Sequence, residues 1–188
     1  MPQKHEYFTY KFEELSEEAQ ANALENVALK MTGDWWDSAD TEDIEDLIVY
    51  TLAATFKTPG WDTYGVSDFP GIPNVTVQAW DCDRAQSLEL RGTLDKTNAP
   101  ALPWVGDLTS VELRNPDMWR HVQAIVNDDE EAESSEADAR TLEEAVKDAM
   151  NEAIAAGTKE IEYKGSQEYA KDWVEGNEPD FYKNGELA

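Results

Sequence analysis

Residues 75–94, VTVQAWDCDRAQSLELRGTL, decide the fold class of this chain. Apolar and polar residues alternate on both sides of the segment DCDRAQ (81–86), as expected for two strands that each bury one face. The pattern predicts an antiparallel hairpin, and Val111 and Leu113 indicate a further strand. Because helical patterns occur before and after these strands, we expect an α+β fold: a small antiparallel sheet packed against helices, with a strongly acidic surface.

Helices are predicted where apolar residues recur at a spacing of three and four and where capping residues precede them. The first predicted helix runs from the N-cap Ser16 to Gly33, and the second from after Thr41 to Lys57–Gly60. A third is opened by Asn115-Pro116 and buries Trp119, Val122, Ile125 and Val126. A fourth runs from the capping-box pair Thr141 and Glu144 to Gly157, and a fifth from Ser166 to Val174.

Shorter elements are predicted outside these helices. Aromatic residues in 7–12 and the pair Ile161 and Tyr163 indicate short strands, and Asn184-Gly185 is typical of a tight turn. The length of 188 residues suits a single domain, 1–188, with its own core. Within it, we expect the acidic segment 127–140 to be mobile or an exposed helical extension.

Composition excludes several classes of protein. No apolar run approaches the ~20 residues that span a membrane, and the N-terminus lacks the apolar core of a signal peptide. A single cysteine, Cys82, excludes an internal disulfide and fits a reducing compartment. We therefore expect a cytoplasmic protein.

Charge is the outlying property of the chain. Forty-one acidic residues against fifteen basic ones give a net charge of −26, far beyond the ~2–8 units that keep a small domain soluble. Such an excess destabilises the compact state by self-repulsion. Nucleic acid and anionic membranes would be repelled, so a basic protein is the expected partner.

The sequence shows no arrangement of residues that would carry catalysis. His5 and His121 are far apart and share no ligand spacing with Cys82, and the pair Asp81 and Asp83 lacks the glycine and terminal glutamate of an EF-hand. There is no glycine-rich phosphate loop. We expect a protein that is not an enzyme, with no catalytic residues, no cofactor and no metal site.

Two tracts concentrate the acids. Residues 34–46, DWWDSADTEDIED, hold seven acids in thirteen residues, and residues 128–138 hold seven in eleven. If both were helical they would carry one charge per roughly 2.5–3 Å, against one per ~1.7 Å in duplex DNA. Trp35, Trp36 and Ile44 anchor the first tract, whereas the second has no apolar residue larger than alanine. The alternatives are an exposed helix start for the first tract and a solvated linker for the second.

The two ends of the chain resemble a known family. TYKFEELSEEAQANALENV (9–27) and IEYKGSQEYAKDWVEGNEPDFYKNGEL (161–187) are similar to the opening and the ending of an uncharacterised family of small phage and prophage proteins, sometimes labelled antitoxin-like. GIPNVTVQAWDCDRAQSLELRG (71–92) could correspond to its central hairpin, although the glycine-rich loop of the family is replaced here by residues 81–86. The resemblance implies a phage or mobile-element origin and carries over no catalytic residue.

Three hypotheses follow from these observations. The first is a phage-encoded inhibitor that presents a DNA- or RNA-mimicking acidic surface to a basic nucleic-acid-binding host protein of a restriction or CRISPR-type defence system. The second is an antitoxin-like or host-takeover adaptor that binds a protein through an exposed aromatic such as Trp36 or Trp61. The third is that the acidity reflects a saline host, although ten lysines against five arginines argue mildly against it. The partner-binding residues expected under the first hypothesis are Asp34, Trp36, Asp37, Asp40, Glu42, Asp43, Glu45, Asp46, Asp128, Asp129, Glu130, Glu131 and Glu133.

Overall fold

The computed structural model describes residues 8–32, 38–84, 86–105, 108–113, 122–126 and 136–188. Within these ranges it contains four α-helices and a four-stranded antiparallel sheet in the order β1-β2-β3-β4. The predicted α+β class is therefore confirmed. The elements are α1 (Glu17–Thr32), α2 (Ser38–Phe56), β1 (Val75–Asp81), β2 (Ser87–Asp95), β3 (Leu108–Leu113), β4 (Val122–Val126), α3 (Glu136–Lys164) and α4 (Gln167–Asn177).

The chain divides into two compact units. One consists of Met1–Asp40 and Glu160–Ala188, and the other of Thr41–Lys159. The expectation of a single domain is not tested by this division, because compact units can be parts of one folding domain.

The first unit is a helical pair with its own apolar core. Ser16 accepts a hydrogen bond from the backbone N–H of Ala19, which confirms the predicted N-cap of α1. Ser166, where the last helix was predicted to start, accepts one from the backbone N–H of Tyr169 and caps α4. The core lies between these two helices and the C-terminal segment. Its buried members are Leu15, Ala19, Ala23, Val27, Ala28, Ala170, Val174 and Phe181.

The C-terminal turn closes this core. Gly185 has a φ of +87°, which suits glycine, and a Cβ placed there would lie 2.3 Å from the carbonyl oxygen of Ala19. The predicted Asn184-Gly185 turn is therefore confirmed. It packs closely against Ala19 and Ala23 of α1, and the side-chain amide of Asn26 donates a 3.4 Å hydrogen bond to the Gly185 carbonyl. The predicted strand over 7–12 is wrong within the described residues. Only Tyr10 pairs there, through reciprocal hydrogen bonds of 2.8 and 2.9 Å with Phe181, and a 3₁₀ turn follows at Phe12–Glu14.

The predicted hairpin forms the centre of the second unit. Val77 pairs with Leu90 and Trp80 pairs with Leu88, so all four side chains lie on one face of the sheet. Strand alternation alone would place Val77 and Trp80 on opposite faces. The register shift between Val77 and Ala79 is a β-bulge, and its extra residue brings Trp80 back to the face that carries Val77. The buried side chains of β2 and β3 on this face are Leu88, Leu90, Leu94, Val111 and Leu113.

Helices α2 and α3 meet the hairpin at a close crossing. A Cβ placed on Gly157 of α3 would lie 3.5 Å from Ile44 and Ile48 of α2, and 2.6 Å from the Sγ atom of Cys82. The hydroxyl of Thr158 donates a 2.7 Å hydrogen bond to the backbone carbonyl of Cys82. The crossing therefore joins one helix, the other helix and the hairpin loop at a point where only glycine fits.

Three predictions around α3 are wrong because the helix is longer than its sequence signals indicate. The helix begins at Glu136, before Thr141, and continues through Gly157 to Lys164, so neither the capping box nor the glycine stop operates. The predicted strand at Ile161 and Tyr163 is the last part of this helix. Gly157 is kept inside the helix by its packing against α2 and Cys82, since tertiary contacts outweigh the ~1 kcal/mol that glycine costs in a helix interior.

The helix predicted from Asn115-Pro116 is also wrong where the structure describes it. Val122–Val126, which includes three of the residues expected to face inward from that helix, is strand β4, paired antiparallel with β3. The edge of β3 provides hydrogen-bond partners for the backbone of Val122–Val126, which in a helix would have to bond within its own segment. Residues 114–121, including Trp119, lie outside the described ranges.

The crossing leads to a prediction about stability. Gly157→Ala should destabilise the protein by about 1–3 kcal/mol, since the new methyl group would overlap the Cys82 sulfur. Gly176→Ala in α4, where a Cβ would meet nothing within 4 Å, should instead stabilise by up to about 1 kcal/mol. Urea unfolding of both variants measures the two effects. Cys82→Ala combined with Gly157→Ala should recover part of the loss, and equal stability of the two single variants would show that the crossing is not tight.

Candidate partner-binding surface

The first part of α2 carries carboxylates on a well-anchored helix. Glu42, Asp43 and Glu45 are exposed. Ile44, which lies between Asp43 and Glu45, and Ile48, one turn further on, have no accessible surface. Burying the apolar stripe of this helix contributes roughly 6–12 kcal/mol before chain entropy is counted, at ~1.5–3 kcal/mol for each of its four large side chains, Ile44, Ile48, Leu52 and Phe56. Repulsion between neighbouring like charges costs only about 0.2–0.5 kcal/mol for each pair. Burial therefore holds the carboxylates in place against their own repulsion.

The helix dipole does not account for these acids. We expected α2 to begin after Thr41, which would have placed Glu42 and Asp43 in its first turn. It includes Ser38, so the acids from Glu42 onward lie beyond the first turn, where the favourable effect of the dipole has fallen off. The dipole interpretation therefore does not extend to Glu42, Asp43, Glu45 and Asp46, whereas Asp40 lies in the first turn of the helix.

Asp46 shows that the carboxylates are close enough to interact. Burial raises the pKa of its carboxyl group above the usual value of 3.8, and the charges of Glu42 and Asp43 raise it further. Glu42 and Asp46 are four residues apart, and Asp43 and Asp46 three apart, so all three lie on neighbouring positions of the helix surface. The result is a compact group of negative charges beside a half-buried one.

A second feature of this surface was not predicted from the sequence. Tyr50 of α2 makes edge contacts with Trp61 and with Phe69, each at 6.1 Å between ring centroids, and Tyr64 makes one with Phe69 at 6.3 Å. Such pairs contribute about 0.5–1.5 kcal/mol each beyond their buried area. We call these four rings the aromatic cluster. Tyr64 is 46% exposed, and the other three rings are partly exposed.

Three of the four rings belong to one loop, which is clamped at its base. The Thr58 hydroxyl donates a 2.7 Å hydrogen bond to the Asn98 carbonyl, and the Asn98 amide donates one of 2.7 Å to the Pro73 carbonyl. Asn98 is only 2% exposed, so a single buried residue holds both ends of the segment between Thr58 and Pro73. A loop with adjacent ends and packed side chains of its own is an Ω-loop, a structure that often carries function.

Two of the acids and one ring of the aromatic cluster share one stripe of α2. Asp43, Asp46 and Tyr50 follow one another at spacings of three and four residues, which places them along one stripe of α2. Lys57 lies just past the end of the helix, with a φ of +53°. Asp43 and Tyr50 are about 10 Å apart along the axis at ~1.5 Å per residue. The Nζ atom of Lys57 lies 5.7 Å from the Trp61 ring centroid, within the range of a cation–π contact.

The structure places only part of the predicted site. Glu42, Asp43, Glu45 and Asp46 all lie in α2, where the first three are exposed and Asp46 is half-buried, and Asp40 lies in the same helix. Trp61, named as an anchor for an adaptor, lies in the aromatic cluster. The predicted residues outside the described ranges are Asp34, Trp36, Asp37, Asp128, Asp129, Glu130, Glu131 and Glu133. Of the segment 127–140, the described part, 136–140, belongs to α3.

Cys82 has the properties of a structural thiol. It is buried beneath the α2–α3 crossing, and burial, followed by the charge of Asp81, raises its pKa to about 11. A thiol in this state is a poor nucleophile near neutral pH. Over the described ranges, no group of three or more His, Cys, Asp and Glu side chains is arranged to hold a metal ion. No helix in the described part of the chain combines the length and apolar character needed to cross a membrane.

Comparison with known proteins adds no relative. No protein-family model matches this chain, and no curated protein or solved structure matches it either. The functional assignment depends on the geometry of α2 and the loop beside it.

The raised pKa of Asp46 gives a pH-dependent prediction. The folded protein holds the Asp46 proton more tightly than the unfolded chain, so the free energy of unfolding falls as pH rises from 3.8 through the pKa of the folded state. Asp46→Asn should therefore raise stability at pH 7, by about 0.2–0.5 kcal/mol for each repelling neighbour removed, and this gain should shrink toward pH 3.

Thermal unfolding of Asp46→Asn between pH 3 and pH 7 measures this effect. Glu17→Gln is the matched control, because Glu17 is an exposed acid in the first turn of α1, where the helix dipole favours its charge. The control should give no stabilisation. A stabilisation by Asp46→Asn that does not change with pH would contradict electrostatic repulsion as its cause.

Proposed function

We propose that this chain is a non-enzymatic inhibitor that presents the acidic face of α2 to a basic, nucleic-acid-binding host protein. The acidic face is defined by Glu42, Asp43, Glu45 and Asp46. It would occupy a positively charged groove that otherwise holds DNA or RNA. The host protein would belong to a defence system of the restriction or CRISPR type, and the encounter would take place in the cytoplasm of the host cell.

The observation that carries the proposal is the density of carboxylates on a fixed helix. Four acids occur within the five residues from Glu42 to Asp46, which take up about 7.5 Å of helix axis. This is one charge per roughly 2 Å, close to the ~1.7 Å of duplex DNA. Imitation of a phosphate backbone requires charges whose positions are fixed, and the buried stripe of α2 provides that.

Repulsion within the acidic face supports the same conclusion. Burial, and after it the charges of Glu42 and Asp43, raise the pKa of Asp46, so part of the cost of ionising this carboxyl group comes from its acidic neighbours. Lysine and arginine side chains of a partner would remove the repulsion on binding and would gain well-placed counter-charges. The resemblance of residues 9–27 and 161–187 to a family of phage and prophage proteins is consistent with an inhibitor directed at a host.

One observation favours a second candidate function. The aromatic cluster is an exposed group of large rings, and aromatic side chains are enriched at the energetic centres of protein interfaces. An adaptor that binds its partner mainly through the aromatic cluster would keep its affinity when the acidic face is neutralised. It would lose affinity when Trp61 is replaced.

Affinity capture from host lysate tests the proposal. The immobilised chain should retain a nucleic-acid-binding protein at low salt and release it by ~0.5 M salt, where screening is short-ranged. Duplex DNA should also displace the captured protein from the immobilised chain. The variant Glu42→Gln, Asp43→Asn, Glu45→Gln, Asp46→Asn should retain at most a few per cent of the captured protein.

The matched control removes the same number of charges elsewhere. Its substitutions, at four exposed acids of α3 and α4, are Glu144→Gln, Asp148→Asn, Glu162→Gln and Glu168→Gln. This control should capture almost as much as the original chain. If both variants lose the same amount of captured protein, the interaction depends on net charge and not on the acidic face. Capture that persists at high salt and after neutralisation of the acidic face would favour the adaptor. Stability that rises strongly in molar KCl, without capture, would indicate adaptation to salt.

A further inference from the structure

We infer that the aromatic cluster of Tyr50, Trp61, Tyr64 and Phe69 is an arginine-binding platform that receives a basic segment of the partner protein. The inference rests on the proposed function, since the occupant is a segment of the same positively charged partner. It adds a second contact area and a chemical preference, arginine over lysine, that the acidic face alone would not give.

The first support is that the cluster already binds a cation. The ammonium group of Lys57 lies 5.7 Å from the Trp61 ring centroid, so the face of that ring is accessible and suitably placed for a positive charge. Lys57 is exposed, and its ammonium group sits at the end of a flexible side chain. A guanidinium group from a partner can displace it, because a planar guanidinium stacks on an aromatic face and a lysine ammonium does not.

The second support is the charge around the rings. Asp62 and Asp68 are exposed on the loop that carries Trp61, Tyr64 and Phe69. Asp46 precedes Tyr50 by one helical turn on the same stripe of α2. Single-stranded nucleic acid also stacks on aromatic rings, but these carboxylates would repel its phosphates. Charge complementarity therefore selects a basic polypeptide as the occupant.

The third support is that the platform is formed before binding. Both ends of its loop are fixed by the buried Asn98, and the rings pack on one another and on α2. A partner side chain therefore meets an ordered surface and does not have to order the loop. Asp43 lies about 10 Å along α2 from Tyr50, so a segment with arginines a few residues apart can reach both the acidic face and the platform.

The test uses the purified full chain and two synthetic peptides of equal charge. One peptide contains four arginines separated by glycines, and the other has lysines at the same positions. Fluorescence anisotropy at low salt gives both affinities. The arginine peptide should bind about two- to fivefold more tightly, which corresponds to one exposed cation–π contact. Tyr64→Ala should abolish this preference while keeping most of the shared, salt-dependent affinity.

A second pair of variants removes the internal competitor. Lys57→Met should strengthen binding of the arginine peptide more than Lys96→Met does, because both remove one exposed positive charge but only Lys57 covers a ring of the platform. Fluorotyrosine NMR locates the contact. The resonances of Tyr50 and Tyr64 should shift on titration, whereas those of the other tyrosine pair, Tyr163 and Tyr169, should not.

The outcomes separate this inference from the proposed function. Equal affinities for the two peptides, equal effects of Lys57→Met and Lys96→Met, or tighter binding of a single-stranded oligonucleotide would overturn the platform, whatever lysate capture shows. An arginine preference that Tyr64→Ala removes would support the platform even if no nucleic-acid-binding protein is captured. In that case the class of partner, and not the platform, would be wrong.

Discussion

The close crossing of α2 and α3 over Cys82 is the constraint on which the proposed surface depends. Gly157 allows the two helices and the hairpin loop to approach within a distance that excludes even a methyl group. The crossing buries Ile44 and Ile48, and their burial fixes the orientation of the residues between and around them. The outward direction of the α2 carboxylates is therefore a consequence of packing on the opposite side of the helix.

Packing and repulsion act in opposite directions on α2, and their magnitudes decide the outcome. A stripe of four buried apolar side chains contributes several kcal/mol, whereas a few like-charge pairs cost about 1 kcal/mol in total. The fold can thus maintain an electrostatically unfavourable surface with little effect on its stability. Under the proposed function, a basic partner would relieve this repulsion on binding. The aromatic cluster, whose Tyr50 lies on the same stripe of α2 as Asp43 and Asp46, would supply the apolar contact that charge alone lacks.

The sequence predicted those elements whose signals are local. The hairpin followed from alternation over 75–94, and the cap of α1 and the start of α4 followed from Ser16 and Ser166, because the residues that determine these features are adjacent in the chain. Gly157 was misinterpreted as a helix stop, since the contact that keeps it helical comes from Cys82, far away in sequence. Val122–Val126 was misinterpreted as helix because a short apolar run fits either period, and its pairing partner β3 decided between them.

The same distinction applies to the candidate site. The acids of α2 could be identified from composition, since their clustering is contiguous. The aromatic cluster could not, although Trp61, Tyr64 and Phe69 stand out in a loop rich in proline and glycine. Its fourth ring, Tyr50, comes from α2, and its clamp, Asn98, comes from beyond the hairpin. Only the folded chain brings these residues to one place.

Carboxyl footprinting of the complex tests the central claim most directly. Carbodiimide and glycine ethyl ester label accessible carboxylates, and mass spectrometry measures the labelling of each residue in the free chain and in the complex with its captured partner. The account predicts a severalfold fall at Glu42, Asp43 and Glu45, with no change at Glu144 and Asp148 on α3. Unchanged labelling of the three α2 residues, with protection elsewhere in the chain, would contradict it.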